Sequence, residues 1–101
     1  MKHILIVEDD TTFAVMLQTW LSKKKFSVAS VSGIAAAKKT LIESSVDLVL
    51  CDLRLPDGDG IDLLEWVSNR SVNVPLIVMT SYAAIPSAVQ AMKLGARDYI
   101  S

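Results

Sequence analysis

Cysteine and histidine are almost absent from this chain of 101 residues, in which Cys51 is the sole thiol and His3 the sole imidazole. No internal disulfide can form and no Cys/His metal cluster can be assembled, so a reducing, cytoplasmic setting is expected. An excess of either charge is missing as well: ten Lys and Arg face eleven Asp and Glu, for a net charge of −1. That balance leaves no basic footprint for DNA or RNA, and the run Lys23, Lys24, Lys25 reads as a solvated helix end. Long apolar runs are lacking too. The first, Ile4 to Val7, stops at Glu8, too short for a signal peptide or a membrane span.

What is present is apolar residue in quantity, 51% of the chain, enough to exclude disorder and to fill one core but not two. The apolar residues come in two alternating patterns. Short continuous runs, Ile4–Val7, Val46–Cys51 and Leu76–Met79, have strand length, and Phe26, Val28 and Val31 alternate as a half-covered strand does. Between them lie amphipathic stretches. Phe13, Met16, Leu17, Trp20 and Leu21 recur at helical spacing behind a cap at Asp10 or Thr11, so Trp20, Met16 and Leu17 are expected in the core.

Ser32 and Gly33 open a second helix with Ile34, Ala37 and Leu41 on one face, and Ile61, Leu64 and Val67 mark a third. The segment between, Leu53 to Gly60, reads as a loop. A fourth helix is expected from about Ile85 to Leu94, closed by Gly95, and a last strand within Arg97 to Ser101. Strand and helix thus alternate four times before a final strand. Continuous apolar strands joined by helices predict a five-stranded parallel α/β sandwich covered on both faces, lacking a last helix.

In such a sheet the ligand site lies past the carboxyl ends of the strands. There the sequence places Glu8, Asp9 and Asp10 after the first run, Asp52 after the third strand, and Thr80 and Ser81 after the fourth. Carboxylates gathered so repel one another unless a cation joins them, and an all-oxygen donor set favours Mg²⁺ or Mn²⁺. Asp52 stands alone at the end of its run. Beside a divalent cation and a hydroxyl donor, such a carboxylate can attack a phosphoryl group in line. A strand-end Asp often only caps a turn, but convergence with Glu8, Asp9 and Thr80 favours chemistry.

The segments ILIVEDD (Ile4–Asp10), DLVLCDLRLPDGDG (Asp47–Gly60), PLIVMTSYA (Pro75–Ala83) and AMKLGARDYI (Ala91–Ile100) together resemble a response-regulator receiver domain of two-component signalling. The resemblance runs through the whole chain at matching spacings, and Thr80 to Ile100 is similar to receivers of NtrC-type transcriptional activators. It implies the flavodoxin-like strand order 2-1-3-4-5, with 1–101 as the receiver domain and any output domain outside this chain. Asp52 would be the phosphoacceptor, taking its phosphoryl group from a histidine on a sensor kinase. Asp9 would ligate Mg²⁺ directly with Asp52, Glu8 would do so through water, and the Arg54 main-chain carbonyl would complete the set. Thr80 would hydrogen-bond the phosphoryl oxygens, and Tyr99 would be the aromatic that turns inward with it. Arg54 and Tyr82 match positions that influence the lifetime of the aspartyl phosphate.

The family's Lys after the fifth strand would directly follow Ser101, with the fifth helix beyond it. A truncated receiver is therefore expected, a phosphorylatable switch and not an enzyme, with apolar surface left for a partner. The alternative is a phosphorylation-independent interaction module that forms a homodimer.

Other motifs carry less. Asp57-Gly58-Asp59-Gly60 suggests a calcium loop, but Ile61 occupies the next ligand place and no closing Glu follows, so a turn with solvated acids is expected. A dehalogenase-type phosphatase would need a second Asp where Arg54 stands, and no glycine-rich nucleotide loop occurs. His3 reads as an exposed strand end, Cys51 as a buried thiol facing away from Asp52, and Met16, Met79 and Met92 as core filler.

Overall fold

The structure is a computed structural model that describes residues 2–69 and 74–79 fully and residues 98–100 as backbone. Its elements are β1 (His3–Val7), α1 (Thr11–Lys23), β2 (Ser27–Val31), α2 (Ile34–Glu43), β3 (Leu48–Asp52), β4 (Arg54–Leu55), β5 (Gly58–Asp59), α3 (Gly60–Asn69), β6 (Leu76–Met79) and β7 (Asp98–Ile100). Five strands form one parallel sheet in the order β2-β1-β3-β6-β7, which is 2-1-3-4-5 when the main-sheet strands alone are counted. The expected topology is therefore the observed one. The fourth helix expected between β6 and β7 falls outside the described residues.

The continuous apolar runs are explained by cover on both faces of the sheet. Leu5, Val7, Val49, Cys51, Leu76 and Val78 point toward α2 and α3, where Ile34, Ala37, Ile61, Leu63, Leu64 and Val67 meet them. The alternate residues Ile4, Ile6, Leu50 and Met79 point the other way and join Leu21 of α1, with Leu17, Phe26 and Val28 alongside. Ile4 through Val7 are all buried, and each such side chain contributes about 1.5–3 kcal/mol of transfer free energy. That burial fits an interior strand, and β1 lies between β2 and β3.

One expectation about α1 is corrected. Its buried residues are Ala14 and Leu21, with Leu17 and Gln18 partly covered, whereas Trp20 and Met16 are 57% and 60% exposed and Phe13 is exposed as well. The helix carries apolar residues around more than one side, so its periodicity fits two docking faces about equally well. The sheet selects the one in which Leu17 and Leu21 meet Phe26 and Val28 and the Gln18 amide donates to the Val28 carbonyl at 3.3 Å. Lys24 then folds over the exposed Trp20 ring, 5.5 Å from its centre.

The segment expected as a loop also has more order, since β4 and β5 pair antiparallel with Arg54 opposite Asp59 and Leu55 opposite Gly58. Asp57 and Asp59 are exposed but not merely solvated. Both oxygens of Asp57 accept from the first amides of α2, Ile34 N at 2.8 Å and Ala35 N at 3.0 Å. Those bonds hold its carboxyl below the usual carboxylate range. Asp59 accepts from Ile61 N at 2.8 Å, capping α3.

The end of α1 is closed by a Schellman arrangement: Phe26 N donates to Leu21 O and Lys25 N to Ser22 O. The residue forced into the left-handed region there is Lys25, with φ of 69°, where a Cβ costs roughly 1 kcal/mol. Lys25→Gly is expected to stabilise the protein by about 0.5–1 kcal/mol, read as a higher urea midpoint at unchanged slope.

Candidate functional site

The β1–β3 register pairs Val7 with Cys51, so the next residues, Glu8 and Asp52, leave the sheet side by side at its carboxyl end. Asp9 follows immediately. One carboxylate oxygen from each of Glu8, Asp9 and Asp52 lies within 4.8 Å of the others. Their settings differ. Glu8 is buried with 8% exposure, Asp52 is half-buried and Asp9 is exposed. The Glu8 backbone is fixed by its N–H donating to Val31 O at 3.0 Å, which ties the site to β2.

Asp10, which the sequence offered both as a member of this cluster and as a cap for the first helix, takes the second role. Its side chain accepts from Phe13 N at 3.2 Å and so caps α1, while its own N–H donates to Glu8 Oε1 at 3.3 Å. Arg54 is exposed on β4, two residues past Asp52. Thr80, Ser81 and Tyr82 lie outside the described residues; Thr80 directly follows Met79, whose register partner is Asp52. For Tyr99 the structure gives its place in β7, opposite Val78.

The crowding of carboxylates has an electrostatic signature. Burial, a hydrogen bond with Asp52 and the negative charge of Asp52 push the Glu8 carboxyl up to about 7 from 4.5. Cys51, by contrast, faces the other side of β3. Its thiol is 1% exposed, burial and then the charge of Asp52 push it up to about 12, and it donates to the Asp52 carbonyl at 3.2 Å. It is a packing residue.

Backbone as well as side chains positions Asp52. Gly60 N donates to Leu53 O at 2.8 Å, returning the β4–β5 hairpin to the end of β3. A Cβ at Gly60 would collide with the Asp52 carbonyl oxygen and sit 3.1 Å from its carbon. The local residue pattern does not announce this contact. Its only trace is Gly60 itself, standing after Asp59 at the start of α3.

The site therefore offers three carboxylate oxygens within reach of one small ion and, among the described residues, no sulfur or nitrogen donor. Hard divalent cations such as Mg²⁺ take that donor set, and a cation would relieve the repulsion now expressed at Glu8. The residues fit such an ion. Among the described residues no helix is long and apolar enough to cross a membrane.

Comparison with known proteins agrees with this geometry. The family model described as "Response regulator receiver domain" matches residues 4–101. The response regulator protein PilR of Pseudomonas aeruginosa is 34% identical over 100 residues, covering 99% of this chain and 22% of PilR. The transcriptional regulatory protein ZraR of Escherichia coli is 36% identical over 97 residues, 96% of this chain and 22% of ZraR. The chain thus spans about a fifth of the length of these two relatives, both of the NtrC type expected from the sequence. Among solved structures, the non-phosphorylated HemR receiver domain of Leptospira biflexa superimposes with a TM-score of 0.92 at 33% identity. The match covers 99% of this chain and 81% of that one.

Two predictions follow from the site. The folded protein retains a proton at Glu8 that the unfolded chain loses between about 4.5 and 7, so stability from this group falls as pH rises across that window and stays low above it. Glu8→Gln removes the slope: in metal-free buffer its melting temperature exceeds wild type at pH 8 and differs little at pH 5. Gly60→Ala is expected to lose about 2 kcal/mol in urea unfolding, since either the hairpin or β3 must shift.

Proposed function

The chain belongs to the response-regulator receiver family, and from that premise we propose that it is a phosphorylation switch whose acceptor is Asp52. The observation that carries this reading is the meeting of Glu8, Asp9 and Asp52 oxygens within 4.8 Å at one end of the sheet. An Asp52 carboxylate oxygen attacks the phosphorus of a phosphohistidine on a sensor kinase. The new O–P bond forms in line with the breaking N–P bond, and the histidine nitrogen leaves.

Asp9 and Asp52 would hold Mg²⁺ directly, Glu8 would hold it through water, and the Arg54 main-chain carbonyl would supply the remaining protein oxygen. When bound, the ion offsets negative charge on the transferring phosphoryl oxygens. Thr80 donates to those oxygens after transfer, and Tyr99 turns inward with it, changing the surface of the fourth helix and last strand. That surface then selects the partner or output domain, a transcriptional one by analogy with ZraR and PilR. The setting proposed is cytoplasmic, and the chain assists its own phosphoryl transfer and loss without turning over a separate substrate.

The exposed stripe Phe13, Met16 and Trp20 on α1 supports a second reading, an interaction module that self-associates without phosphorylation. Sedimentation decides it, because a clean monomer over a wide concentration range overturns it.

For the main reading, incubation with Mg²⁺ and a small acyl-phosphate donor is expected to add one phosphoryl mass to the wild-type chain. The gain disappears in Asp52→Ala and when the metal is chelated. Mass gain that persists in Asp52→Ala would overturn the assignment.

A further inference from the structure

The amino end of α2 lacks a cap of its own. Its N-cap position is Gly33, which has no side chain to offer, so the amides of Ile34 and Ala35 would be orphan donors. They are satisfied from 23 and 22 residues away by the two oxygens of Asp57, at 2.8 and 3.0 Å. Asp57 stands in the turn between β4 and β5, the hairpin that begins two residues after Asp52 and carries Arg54 in its first strand. Lys38, one turn into α2, adds a favourable charge to the same carboxylate.

The fit is tight because the cap residue is glycine. A Cβ at Gly33 would lie 2.8 Å from Asp57 Oδ1 and 3.1 Å from its Cγ, displacing the carboxylate. The other end of the hairpin is secured independently, by Asp59 on Ile61 N and by Gly60 on Leu53. The hairpin is thus fastened at its base to α3 and β3, and at its tip to α2.

We propose that Asp57 is a positioning residue: by clasping the α2 amino end it fixes the hairpin whose Arg54 carbonyl completes the cation site. This inference rests on the proposed Mg²⁺ site. Asp57 touches neither the ion nor the phosphoryl group and acts through the backbone of residues 53–56. With the tip released, the β4–β5 hairpin samples other orientations, and the cation loses one preorganised oxygen while Glu8, Asp9 and Asp52 remain in place.

The test is calorimetric titration of the chain with Mg²⁺, alongside urea unfolding of each variant. Asp57→Ala and Gly33→Ala, which break the clasp from its two sides, are expected to weaken Mg²⁺ binding at least fivefold. Asp57→Asn, which keeps one acceptor oxygen, falls between them and wild type. Lys39→Gly provides the control, since it weakens α2 at an exposed position away from the clasp. It should lower the urea midpoint and leave the Mg²⁺ affinity unchanged. Wild-type affinity in both Asp57→Ala and Gly33→Ala would overturn the positioning role and leave the cation site standing. Failure of the wild-type chain to bind Mg²⁺ would overturn both.

Discussion

Repulsion among three carboxylates is the constraint on which the working end of this molecule depends. The pairing of β1 with β3 brings Glu8 and Asp52 together whether or not that is electrostatically favourable, and Asp9 comes with them. The sheet can impose this because its core supplies the needed free energy. Residues on both faces of β1 and β3 are buried, so neither strand can retreat without exposing apolar area. Stability drawn from the interior is thus converted into a site with a standing demand for positive charge. Receiver domains are switches, and a ligand or covalent group that relieves this crowding in one state more than in another biases the equilibrium between them.

Much of this was legible in the sequence because the relevant signals are local. A continuous apolar run that stops on an acid, Val7 to Glu8 or Cys51 to Asp52, states both that a strand is buried and where its polar end emerges. Those two junctions, with the alternation of elements, were enough to read a parallel α/β sandwich and to bring Glu8, Asp9 and Asp52 together, while the strand order came from the family resemblance. Asp10 marks the limit of that logic. One residue further along, its carboxylate turns to the first turn of α1; the sequence offered Asp10 both as that cap and as one of the gathered acids, and only the folded chain chooses the cap.

The features that escaped are those decided by contacts distant in sequence or by competing faces. Nothing in the string around Gly33 says that its missing side chain is replaced by Asp57, because the two meet only after α2 and β3 have been placed. The docking face of α1 escaped for another reason: Phe13, Met16 and Trp20 satisfy helical periodicity as well as Ala14, Leu17 and Leu21 do, and only the sheet surface breaks the tie. Lys25 escaped because the left-handed closing position usually signals itself by glycine. Here the signal is a lysine within a basic run.

Cys51 has a consequence of a different kind. Its sulfur sits in the central strand, one residue before Asp52, sealed from water and held as the unreactive thiol. An alkylating reagent can reach it only when β3 parts from the layer of α2 and α3, so the rate of its modification is a chemical clock for the opening of that layer. The sole cysteine of the chain is thus a built-in reporter of how firmly the floor beneath Asp52 is closed, and it can be read without adding any label to the site itself.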